Sequence, residues 1–188
     1  GKTHLRSGMP CQDHAMSFTI DDQSKTVYAS VADGCSSGGA TDFGSRIYNQ
    51  SMVPTLQRLE TFGEVARNLQ HWVGIEAVHQ SIVQNSMQSL GLSVQDMLTT
   101  HLFILATEKE AIVRIRGDGV VAWVYKNGNI GMSRIDCSNN APDYPAYNMD
   151  PTLKNLFVST SPTYDSENRA IVSNNMGPGL IVRRLIGY

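Results

Sequence analysis

VYASVADGCSSGGATDFGSRI, residues 27–47, joins an apolar run to a helical pattern through one acidic residue. With Thr26 before it, the run Thr26–Ala32 reads as a strand. Both of its faces are small or apolar, which predicts burial on both sides. The strand ends at Asp33-Gly34. Cys35–Ala40 is a loop of small residues, and Thr41 or Asp42 offers a helix N-cap. A turn needs only the Asp-Gly pair, whereas a metal site wants the carboxylate aimed from a rigid strand end.

On the N-terminal side, AMSFTIDD (residues 15–22) reads as a strand, QSK as a turn, and the two strands as a hairpin. On the other side, Phe43, Ile47, Met52, Leu56 and Leu59 keep helical spacing to about residue 60, with a break or kink expected at Pro54. Residues 64–90 form a longer amphipathic helix, its stripe running through Val65, Leu69, Trp72, Ile75, Val78, Ile82 and Leu90. His71 and His79 fall at its edge and read as surface histidines. SVQD (residues 93–96) has the form of a capping box. The period then changes. TTHLFILAT, AIVRIRG, VVAWVY and IGMSRI make residues 99–135 an antiparallel meander. Residues 138–151 read as loop. LFVSTS (156–161), RAIVS (169–173) and the C-terminal GLIVRRLIGY read as strands. Helices between groups of antiparallel strands make an α+β domain.

The chain has 188 residues, 41% of them apolar, and a net charge of −2. That suits one globular domain and argues against disorder. There is no basic stripe for nucleic acid and no apolar run of the length a bilayer requires, which points to neither partner. No signal peptide is evident in the opening residues. Cys11, Cys35 and Cys137 lack metal-ligand spacing and read as free thiols of a reducing compartment. Cytoplasmic location is the expectation.

Asp13 in PCQDH, Asp33 in VADGC and Asp118 in RGDGV each border an inferred strand. Carboxylates converging from strand ends make a hard-oxygen cage suited to Mg²⁺ or Mn²⁺. Asp-Gly is also a leading turn dipeptide, and a plain turn accounts fully for Asp118. The glycine-rich loop fits neither the Walker pattern nor GxGxxG, so it is a weak phosphate cradle. A nucleophilic Cys35 lacks an arginine close behind it, and GxSxG is absent.

Together, GKTHLRSGMPCQDHAMSFTI, the 27–47 stretch and MLTTHLFILATEKEAIVRIRGDGVV resemble the bacterial branch of the metal-dependent PPM phosphatases, the protein phosphatase 2C-like family. The three motifs stand in the family's order over residues 1–135. The resemblance implies an antiparallel β-sandwich with helices on both outer faces. It implies two Mg²⁺ or Mn²⁺ ions, or three. Asp33 would bridge two of them, the Gly34 carbonyl would bind one, Asp13 would hold the second through water, and Asp118 would serve a third. A metal-bridging hydroxide would hydrolyse phosphoserine or phosphothreonine in a protein substrate, Asp33 and Asp13 carrying the catalysis. Arg6 or His4 would hold the phosphate. Departures stand beside this. Cys35 and Ser36 follow Gly34 where many members have His-Gly, and Gln12 stands where other branches place a ligating Glu. No later Asp-Gly or Asp-Asn follows Asp118-Gly119, and Asn174 falls where one acidic residue would be. Residues 1–188 are therefore expected to be a single but incomplete domain. The alternative is an inactive binding or regulatory relative.

Overall fold

The structure, a computed structural model, describes residues 8, 10–21, 26–58, 69–106, 110–135, 142–160 and 181–185. Strands β1 (His14–Asp21) and β2 (Thr26–Ala32) form the expected hairpin. Helices α1 (Thr41–Gln57) and α2 (Leu69–Ser89) follow. A short 3-10 turn (Val94–Met97) leads into β3 (His101–Ala106) and β4 (Glu110–Arg116). Strands β5 (Gly119–Val124) and β6 (Ile130–Ile135) come next. A 3-10 turn (Pro145–Met149), helix α3 (Pro151–Thr160) and β7 (Ile181–Leu185) complete the order. The fold is α+β.

Five strands form one antiparallel sheet in the order β1-β2-β3-β4-β7, and β5 pairs with β6 in a second sheet. The predicted meander is thus divided. β4 and β5 are consecutive but unpaired, because the chain changes sheet at Gly117-Asp118. Gly117 has φ +92°, and a Cβ there would come within 2.8 Å of the Thr100 side chain. Only glycine takes that turn without strain.

The core lies between the five-stranded sheet and helices α1 and α2. Tyr28, Phe103, Leu105 and Ile112 meet Met52, Leu56 and Ile75 there. Tyr48 packs with Val83, Met87 and Met97 in an adjoining cluster. β2 departs from the expectation of two-sided burial. Tyr28, Ser30 and Ala32 are buried, but Val27 is 44% and Val31 52% exposed on the opposite face. Alternation puts the helices against one face only.

Several element readings are corrected. α1 passes through Pro54 unbroken and ends at Gln57. Pro54 gives up the one bond its N–H would have made to the Gln50 carbonyl, and only three helical residues follow it. The cap is neither Thr41 nor Asp42. Ala40 is the N-cap, and its N–H donates to Asp96 Oδ1 at 2.6 Å. The buried stripe of α2 runs through Ile75, His79, Val83 and Met87, while Leu90 is exposed. His79 is a core residue, its Nε2 2.9 Å from the Tyr48 carbonyl. In LFVSTS, residues 156–160 are helix, not strand. Asp150 Oδ1 accepts from the N–H groups of Thr152 and Leu153, and Pro151 starts the helix. An Asp cap with Pro at N1 outweighs a short apolar run. The capping box Ser93/Asp96 is formed. Residues 64–68, RAIVS and Asn174 lie outside the described residues.

Candidate active site

β1 and β2 run antiparallel with His14 opposite Ala32. One step further along this register sets Asp13 against Asp33. The pairing continues past the strand ends, since the Gly34 N–H donates to the Gln12 carbonyl at 3.2 Å. No reciprocal bond from Gln12 N–H to the Gly34 carbonyl forms. On its other side Gly34 bridges Thr99, flanked by Cys35 N–H to Leu98 O (2.8 Å) and Thr100 N–H to Asp33 O (2.9 Å). In such a wide antiparallel pair, the N–H and C=O of Gly34 both turn away from Thr99. The Gly34 carbonyl is thereby left on the Asp13 side without a backbone donor among the described residues. A side chain at position 34 does not fit. A Cβ would come within 2.8 Å of the Thr41 carbonyl and 2.9 Å of the Gln12 carbonyl.

Asp33 is fixed by its backbone. Its carbonyl accepts from Thr99 Oγ1 at 2.9 Å as well as from Thr100 N–H, and its own N–H donates to Thr100 Oγ1 at 3.0 Å. The paired threonines that open TTHLFILAT are therefore a clamp on Asp33. Their spacing in the sequence did not say so. Gln12, buried, donates through Nε2 to Thr41 Oγ1 (2.8 Å), and Thr41 Oγ1 donates to the Cys35 carbonyl (3.0 Å). That relay ties the start of β1 to the start of α1. It also gives the Gln12 amide a structural role, which a carboxylate at that position could not fill as a donor.

Asp13, Asp33 and Asp118 line one open cleft of about 600 Å³, with His14, Thr100 and Gly119. Asp118 reaches it because the turn at Gly117 carries the chain across to β5. The Asp33 carboxyl is pushed up to about 6. Burial is the largest cause, followed by a hydrogen bond to Asp13 and the charges of Asp13 and Asp118. Crowded carboxylates do not all ionise readily, and a cation relieves them. The donor set is carboxylate oxygen plus a backbone carbonyl that has no donor among the described residues, the hard-oxygen chemistry that Mg²⁺ and Mn²⁺ take. Among the described residues, no group of three or more His, Cys, Asp or Glu side chains is arranged to hold an ion. Mg²⁺ characteristically keeps several waters and uses one or two carboxylates, so this set fits a partly hydrated ion.

Cys35, which follows Gly34, is partly buried and is not among the residues that line the cleft. Burial pushes its thiol up, but hydrogen bonds from Ser37, Tyr144 and the backbone of Ser37 and Gly38 outweigh it and leave the thiol below its ordinary value. Its Sγ lies 3.1 Å from Ser37 Oγ. Arg6 and His4 lie outside the described residues.

A family model described as Protein phosphatase 2C matches residues 1–139. Among solved structures, the chain is similar to the S. agalactiae serine/threonine phosphatase. The TM-score is 0.51 at 16% identity, over 94% of this chain and 68% of that one. No curated protein matches at a significant level.

Proposed function

The chain belongs to the protein phosphatase 2C family, and on that premise we propose that it is a Mg²⁺- or Mn²⁺-dependent hydrolase of phosphoserine and phosphothreonine in proteins. One observation carries the proposal. Three carboxylates from three separate strand ends meet in one cleft, and Asp33 is perturbed by both of the others.

Asp33, Asp13 and the Gly34 carbonyl would hold two ions, and Asp118 a third. Bound there, the metal supplies positive charge to a phosphoryl oxygen and lowers the pKa of a water. The chain does the positioning. Thr99 and Thr100 lock the Asp33 backbone, so the carboxylate needs little reorganisation when ligand arrives. Arg6 or His4 is the proposed phosphate holder. Free thiols at Cys11 and Cys35 support a reducing, cytoplasmic setting. No helix among the described residues is long and apolar enough to cross a membrane.

A second reading has its own support. The described residues show no closed three-ligand cluster, and Gln12 is committed to Thr41. Those features suit a phosphatase-like binding or regulatory domain. Hydrolysis of p-nitrophenyl phosphate, with Mn²⁺ and with chelator, separates the two. Turnover that needs Mn²⁺ and vanishes in Asp33→Asn supports the enzyme. A folded chain with no turnover at any Mn²⁺ concentration overturns it in favour of the binding domain.

A further inference from the structure

Side chains alternate across β3 and β4, so the face opposite the acidic cleft carries His101, Phe103, Arg114 and Arg116. Between this face and helices α1 and α2 lies a second cavity of about 190 Å³. That is room for several waters or a small ligand. The Arg114 side chain is 1% exposed and that of Arg116 8%. Arginine is almost never buried so far unless fully paired.

The pairing here is partial. Arg114 Nη2 donates to Glu76. Arg116 stands 3.8 Å from Glu76 and 3.5 Å from Asp143. Both carboxylates are at the rim, 32% and 23% exposed, where water screens them. Inside, among the described residues, Nε and Nη1 of Arg114 and Nε of Arg116 are buried with no hydrogen-bond partner, and the Tyr48 hydroxyl and the Gln80 amide nitrogen, close enough to perturb one another, have no partner of good geometry. All of them can donate, and a buried unpaired donor is costly. The imidazoles bring no anion. Burial holds His79 down to about 4 and His101 well below its ordinary value, so both are neutral at pH 7. Burial also pulls the Arg114 guanidinium down to about 10 in spite of Glu76.

We propose that this cavity binds a small oxyanion, a sulfate, phosphate or carboxylate group, through Arg114, Arg116, Tyr48 and Gln80. An oxyanion brings several acceptor lone pairs to a chamber short of acceptors. A cation meets two guanidinium groups, and an apolar ligand leaves the donors unpaired. Glu76, partly solvated, is the partner that can yield to the incoming anion. The site is on the far face of the sheet from Asp33 and is separate from the phosphate position of the proposed reaction.

The test is isothermal titration of the full chain, stripped of metal on a chelating resin and held at constant ionic strength. Sodium sulfate, inorganic phosphate and acetate are the separate titrants. The expected result is saturable binding of at least one of them at one site per chain. Tyr48→Phe then weakens it about tenfold, the loss of one hydrogen bond to a charged ligand, and Asp33→Asn leaves it unchanged. If Tyr48→Phe does not fold, Gln80→Leu is read in the same way. Preference between the tetrahedral anions and acetate identifies the group. Absence of saturable binding with all three overturns the proposal, as does binding that the cavity variant leaves unaltered or that Asp33→Asn removes. No metal and no phosphoester is present, so the outcome does not depend on whether the chain is a phosphatase.

Discussion

Asp33 carries a side chain that the proposed chemistry needs and a backbone that three hydrogen bonds hold. Thr100→Val separates the two roles. It keeps the shape and the backbone N–H bond to the Asp33 carbonyl, but orphans the Asp33 N–H. The expected cost is about 1–2 kcal/mol in urea unfolding. Mn²⁺-dependent turnover should fall by about tenfold, since a small misplacement of a ligand is expensive. Asp33→Asn acts in the opposite direction on stability. The folded carboxyl is raised to about 6, so its contribution is present below the unfolded value near 4 and lost as pH rises through 6. In chelator above pH 6, the Asn variant should therefore melt higher than the parent. With Mn²⁺ the order should reverse, because only the parent gains from the ion. Thermal melts in both buffers check this. Asp13, Asp33 and Asp118 were readable as candidates because each borders a strand and the motif order supplies the rest. The threonine clamp and the Gln12–Thr41 relay were not readable, since their partners lie 67 and 29 residues away.

Strands β1 to β6 could be read because period-two patterns and turn residues are local signals. The face that each strand buries is not a local signal. β2 shows this. Valine and alanine on one side look like core, yet the helices pack on the Tyr28, Ser30 and Ala32 side. α3 was misread because its apolar run was weighed without the cap before it. Asp150→Ala removes that cap and should destabilise by about 1 kcal/mol, read by urea unfolding. The packing of α2 on the sheet has its own pH signature. His79 is buried and held down to about 4. A base with a depressed folded value stabilises fully above the unfolded value of 6.5 and progressively less as pH falls towards 4. Roughly 3 kcal/mol should be lost across that window. His79→Phe should reduce the pH dependence of the urea midpoint, His101 beside it keeping its own share, even where it lowers the midpoint itself.

Two sheets joined through Gly117-Asp118 give the molecule one well-packed layer and one open face. Val27 and Val31 on β2, and Val124, Ile130 and Met132 on the smaller sheet, are 44–74% exposed. Val31→Thr and Ile130→Thr should each change stability by less than about 0.5 kcal/mol, the usual effect of a surface substitution. A loss of about 1.5 kcal/mol or more in urea unfolding would show these side chains to be packed in solution. Composition predicted a domain-sized core but could not say where that core stops, because an apolar strand looks the same whether or not a neighbour covers it.

The clamp on Asp33 also has a consequence in time. The acidic motif is complete once residue 34 has been made, but the hydroxyls and amide that fix it belong to residues 99 and 100. Closing a loop of that length precedes any reward from the contacts it brings. A chain emerging from the ribosome thus carries its aspartate-glycine pair long before it can aim it. If the proposed metal chemistry holds, affinity for the ion should arise late, in step with the docking of the third strand, so that the nascent protein passes through its early stages chemically silent.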